Sequence, residues 1–169
     1  MISSNSRLTY TVRDLLRGAI AGFIATVPMT ISMLIGWRLL PRRESYPLPP
    51  REITQEIAER VEIEDHLTDG QLTAATLLSH FAYGALFGST YALMEKRLSL
   101  RNGVKGVLAG LMLWIASYLG WLPALRILKP ATHHPWRRNA LMIFAHVVWG
   151  LALGETTRKL QSSTRYLDL

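Results

Sequence analysis

The stretch His80-Phe-Ala-Tyr-Gly84-Ala-Leu-Phe-Gly88 recurs further along the chain as His146-Val-Val-Trp-Gly150-Leu-Ala-Leu-Gly154. Both read H-x-x-aromatic-G-x-x-x-G. A second pattern, G-x-x-A-G, precedes each of them, as Gly18-Ala-Ile-Ala-Gly22 and as Gly106-Val-Leu-Ala-Gly110. The same order of motifs occurs twice, which predicts two tandem copies of one helical hairpin. On a helix, residues at offsets three, four and eight from the histidine share a face. His80, Tyr83, Gly84 and Gly88 therefore form one stripe, and His146, Trp149, Gly150 and Gly154 form its counterpart.

The distribution of charge sets the environment of these helices. The windows 18–37, 72–94, 106–125 and 139–154 contain no Lys, Arg, Asp or Glu. A window of about 20 residues spans roughly 30 Å as a helix, which matches the hydrocarbon core of a bilayer. Backbone polar groups cannot stay unpaired in lipid, so each window must be helical. The fold expected is an all-α integral membrane four-helix bundle in one domain, 1–169, with spans near 15–40, 72–95, 104–125 and 138–157. Pro28 and Pro123 fall inside helices one and three and should kink them. Trp37, Trp121, Trp136, Tyr46 and Tyr91 lie near window ends, as interfacial aromatics do. Arg137, Arg138, Arg158 and Lys159 are expected to snorkel outward from helix four.

The net charge of +7 invites a nucleic-acid reading. Its basic residues instead flank apolar windows, as membrane anchors do, so no nucleic-acid partner is expected. The 95–105 loop concentrates Lys96, Arg97, Arg101 and Lys105. That favours both termini in the cytoplasm. The connector 41–71 mixes acids with bases and opens with a proline-rich stretch. Within it Ile53, Ile57 and Val61, spaced four apart, predict a short amphipathic helix between helices one and two. It could lie on the membrane surface or close the mouth of the bundle.

Because each copy crosses the membrane twice, the copies share one orientation. Helices two and four then run parallel, with their histidines at similar depth. The glycines Gly18, Gly22, Gly84, Gly88, Gly106, Gly110, Gly150 and Gly154 are assigned to close helix packing. A histidine in hydrocarbon needs a partner. For His80 and His146 the candidates are a backbone carbonyl or a hydroxyl among Thr26, Thr30, Ser32, Ser117 and Tyr118. The cofactor alternative makes His80 and His146 ligands to haem or another tetrapyrrole. No metal site is expected from the loop residues His66, His133 and His134. The four windows hold no carboxylate, and no catalytic motif or phosphate loop occurs, so an enzyme is not expected.

The repeated H-x-x-[YW]-G-x-x-x-G motifs, the opening GAIAGFIATVPMT, and SYLGWLPAL…PAT…P…RRNALMIFAHVVWG resemble the small four-helix bacterial inner-membrane proteins of the YagU-like kind, a group of unknown function. The resemblance covers roughly 15–157, with the Leu48-Pro-Pro-Arg-Glu-Ile connector. It implies a bacterial inner membrane and a single bundle, and it supplies no activity or catalytic residue. Three function classes remain. The first is a structural or accessory protein in the bilayer, packing with itself or with a larger membrane complex. The second is a haem- or pigment-binding protein using His80 and His146, and the third a small transporter or channel.

Overall fold

The computed structural model describes residues 4–165, with side chains described for 12–162. All regular structure among them is helical. The long elements are α1 (Ser4–Arg38), α2 (Pro49–Arg60), α3 (Asp69–Met94), α4 (Asn102–Ile115) and α6 (Trp136–Arg165). A π-helical segment, Ala116–Trp121, joins α4 to the single turn α5 (Leu122–Ala124).

Side-chain placement reverses the usual rule for a water-soluble protein. On α1 the buried apolar side chains are Ala21, Ala25, Met29 and Met33, each four residues from the last, alongside Gly18, Gly22 and Thr26. The large aliphatics Leu16, Ile20, Ile24, Val27, Ile31 and Ile35 face outward. The other long helices likewise expose Leu78, Leu86, Met112 and Phe144. That placement is the one compatible with a membrane protein, since lipid supplies no hydrophobic force between helices and small residues then favour the interfaces. In water an apolar surface this extensive would aggregate. Three helical segments are long and apolar enough to cross a membrane, Val12–Arg38, Asn102–Ala124 and Trp136–Ser162. At 26 residues α3 is long enough, but its serines, threonines and His80 keep it less apolar than those three.

Close backbone approach organises the packing. Gly18 and Gly22 of α1 sit against the backbone of Gly88 and Gly84 of α3. Gly106 and Gly110 of α4 sit against Gly150 and His146 of α6. A Cβ at any of these four glycines would collide with a backbone carbonyl across the interface. The helix α1 also packs along α6, whereas α3 and α4 do not run along each other. The ends of α3, α4 and α6 are tied by a buried cluster. Lys105 Nζ donates to the Glu95 carbonyl at 2.9 Å and lies 3.7 Å from the Glu95 carboxylate, to which the Gln161 amide also donates.

Several expectations need correction. Helix three breaks at Gly120 (φ −109°, ψ −109°), within the π-helical segment, and not at Pro123. Pro123 instead occupies the first turn of α5, where its missing N–H costs nothing. The proline ring excludes the carbonyl four residues back, and the residue without a Cβ just beyond that carbonyl absorbs the distortion. Pro28 lies within the unbroken run of α1. Of the predicted stripe on α2, Ile53 packs against the core, while Ile57 and Val61 stay exposed and Ala58 is buried instead. Tyr91 is buried and is not interfacial.

Candidate functional site

The two histidines lie on different helices, His80 on α3 and His146 on α6, and both line one cavity of about 220 Å³. Its walls are apolar and aromatic, formed by Met29 and Met33 of α1, Leu113, Tyr118 and Trp121 of helix three, and Trp149 of α6. Pro50, Ile53 and Ile57 of α2 close the top. The connector helix is thus part of the site.

His146 is only 4% exposed. Its Nδ1 lies 2.7 Å from the Met142 carbonyl, which can only accept, so Nδ1 carries the hydrogen. In the neutral ring Nε2 then keeps its lone pair. The Tyr118 ring meets the His146 ring edge-on, 5.8 Å between centroids. The Nε2 of His80 is buried without a hydrogen-bond partner among the described residues. Such orphaned buried groups are uncommon, because each forfeits its solvation for nothing. His80 also borders a second space of about 450 Å³, between α1, α3 and the connector.

Of the hydroxyl partners considered from sequence, all but Tyr118 are engaged elsewhere. Thr26 donates to the Gly22 carbonyl at 2.8 Å, Thr30 to the Thr26 carbonyl at 2.7 Å, and Ser32 to the Met29 carbonyl at 2.7 Å. The Ser117 and Tyr83 hydroxyls bond each other at 2.8 Å, and Trp121 Nε1 donates to the Tyr83 oxygen at 3.2 Å. For His146 the carbonyl option is the one realised. The Tyr83–Ser117–Trp121 cluster bridges α3 to the π-helical segment where the two helices do not otherwise pack. Tyr83→Phe removes both bonds and is expected to lower stability in detergent by roughly 1 kcal/mol. An unshifted melting curve would mean that the bridge holds nothing together.

Sequence reasoning missed the anchor of the connector. Arg138 does not snorkel, being 1% exposed. Its guanidinium lies over the Tyr46 ring at 3.6 Å, donates to the Tyr46 carbonyl at 2.9 Å and to the Pro47 carbonyl, and pairs with Glu52 at 3.3 Å. The Tyr46 hydroxyl bonds His134 Nδ1 at 2.6 Å, and the other ring nitrogen lies 3.2 Å from the Lys129 carbonyl. That carbonyl requires the hydrogen on Nε2, so Tyr46 is the donor to Nδ1. Burial raises the pKa of the Glu52 carboxyl above its ordinary value, and the Arg138 charge opposes the rise. Burial also pushes His134 down. The sequence signal was an acid, Glu52, just after the proline-rich start of the connector, but nothing in one sequence pairs it with Arg138.

Together these features describe a helical protein with apolar outer faces, glycine seams and a small, partly open cavity lined by two histidines. The chain belongs to the family described as protein of unknown function (DUF1440), whose model matches residues 18–154. The matched stretch begins at Gly18 and ends at Gly154, glycines of the two seams. Comparison with curated proteins and with solved structures returned no match.

Proposed function

We propose that this chain is a YagU-like, four-span protein of a bacterial inner membrane, with both termini in the cytoplasm, and that it binds a small lipid-soluble molecule between His80 and His146. Support for α3 as the fourth span is its length, about 39 Å at 1.5 Å per residue, and its packing along α1. Support for a duplicated hairpin is that the G-x-x-A-G glycines face the histidine–glycine stripe in both pairs, Gly18 and Gly22 against Gly88 and Gly84, and Gly106 and Gly110 against Gly150 and His146. The duplication is imperfect in two respects: the second pair is shifted by four residues along its stripe, and the pairs differ in their outer packing. The close α1–α6 packing has no counterpart between α3 and α4, and the cavity lies at that gap.

The observation that carries the binding reading is the convergence of both histidines on one cavity, with His80 Nε2 left unpaired. A protein that only filled space would gain by replacing these rings with apolar ones, since a buried polar atom without a partner costs about 1–3 kcal/mol. The accessory role then becomes specific: the protein holds or hands on a molecule drawn from the bilayer. The tetrapyrrole alternative asks for far more room than about 220 Å³. A transporter remains compatible with the same cavity if the gap between α3 and helix three opens.

Native mass spectrometry of protein released gently from its own membrane tests this. Wild type is expected to carry a small-molecule adduct, and Ser79→Trp, which plugs the cavity from an exposed lining position, is expected to lose it. An adduct with the mass of a haem would revive the tetrapyrrole reading. Wild type and Ser79→Trp both running as bare chains would remove the binding reading.

A further inference from the structure

The cavity's hydrogen-bond inventory constrains what it can hold. Four protons on its lining residues are already committed within the protein. Thr26 donates to the Gly22 carbonyl, Ser79 to the Thr76 carbonyl, Trp121 to the Tyr83 oxygen, and His146 Nδ1 to the Met142 carbonyl. What His146 can still offer is the lone pair of Nε2, which only a donor can satisfy. The ring stays neutral because no carboxylate lines the cavity to compensate a buried charge. Uncommitted on the lining are the Tyr118 hydroxyl, the Trp149 indole N–H, His80 and the one proton that the Tyr83–Ser117 pair leaves over. No bond sets the tautomer of His80, so it can give or accept.

Shape and surroundings narrow the ligand further. An apolar cavity of roughly 150 Å³ accepts benzene, so about 220 Å³ seats one substituted aromatic ring. Tyr118, Trp149 and the sulfurs of Met29 and Met33 offer the edge and thioether contacts that aromatic rings favour. The outward faces of the flanking helices are apolar, so a ligand arriving between them must be neutral and soluble in lipid.

We infer that this cavity takes a lipid-soluble aromatic alcohol, a phenol or quinol ring, whose hydroxyl donates to Nε2 of His146. The inference rests on the binding reading above and names its ligand class. The hydroxyl oxygen can in turn accept from Tyr118 or His80, which pairs both ends of the contact. A quinone or ketone could accept from those two groups but would leave the His146 lone pair unpaired. The site thus discriminates the reduced ring from the oxidised one by hydrogen-bond polarity, with little difference in shape.

The test uses three probes of similar outline on the full chain in detergent, with binding read from thermal shifts. Durenol carries a hydroxyl, durene has no polar group, and duroquinone has acceptors only. Ser79→Trp, titrated alongside, serves as the blank for partition into micelles. Durenol is expected to bind about tenfold more tightly than either of the others, the worth of one buried hydrogen bond with a matched partner. In His146→Phe, which keeps a ring and removes the lone pair, that preference is expected to vanish while durene still binds. Duroquinone binding as well as durenol to wild type would overturn the aromatic-alcohol assignment and leave the cavity a ligand site. Failure of all three probes to bind would overturn the binding reading itself. Should His146→Phe not fold, the ranking of the three probes on wild type decides alone.

Discussion

Gly106→Ala is expected to loosen α4 from α6, lower the melting temperature in detergent markedly and expose the seam to protease. A methyl at Gly106 would overlap the carbonyl oxygen of Gly150 on the facing helix. Backbone cannot rotate aside as a side chain can, so the two helices must separate along their length. One misplaced methyl in a packed interior costs typically about 1–3 kcal/mol. A backbone-on-backbone clash belongs at the top of that range, and Gly150→Leu or Gly84→Leu beyond it. At Gly84 the added atom meets Thr26 Oγ1 first, so a small residue there is the milder case. Gly70→Ala is the control, since nothing lies within 4 Å of its Cβ position. If Gly106→Ala melted where Gly70→Ala does, the seams would not be what holds the hairpins closed.

Arg138→Met should release the connector. The variant keeps most of the aliphatic bulk but removes the ion pair with Glu52, the stacking on Tyr46 and the bonds to the Tyr46 and Pro47 carbonyls. Losing one member of a buried pair costs about 3–5 kcal/mol. The lower end applies here, because the Glu52 side chain retains 22% exposure. The effect should depend on pH in a definite sense. Glu52 in the folded chain holds its proton above the ordinary value of 4.5. The folded state therefore binds that proton more tightly than the unfolded state does, and stability from this group falls as pH rises from about 4.5 through the raised value. Arg138 limits that loss by favouring the carboxylate. Without it the loss grows and extends to higher pH, so the variant should be most impaired near neutrality and partly recover on acidification. Adding Glu52→Gln should restore stability at neutral pH. Limited proteolysis within 41–71 at two pH values reads all three outcomes. Equal cleavage of Arg138→Met and wild type at neutral pH would show that the connector is held by something else.

How far these features were legible in the sequence depended on whether they are local. Helical windows, their apolar character and the glycine spacing are properties of consecutive residues, readable from composition and the 3.6-residue period. The exception is α3, read from sequence as a span like the others, whose hydroxyls and His80 leave it less apolar than the three candidate spans. The distortion of helix three was assigned to Pro123, three residues beyond the glycine that breaks, because the sequence marks the proline and not the residue that yields to it. The role of Arg138 was misread for a related reason. An arginine at the end of an apolar window looks the same whether it reaches water or turns inward to a carboxylate more than eighty residues away in the chain.

The candidate site divides along the same line. The repeat by itself identified His80 and His146 as equivalent positions and placed their glycine stripes, since recurrence needs no coordinates. Only the tertiary structure decided that both rings border one cavity, that α2 lines it, and that His146 keeps a free lone pair while the Thr26 and Ser79 hydroxyls are already committed. Those facts depend on which helices pack and which stand apart. Packing in lipid follows shape and close approach between segments distant in sequence, and the order of residues along one helix does not contain it.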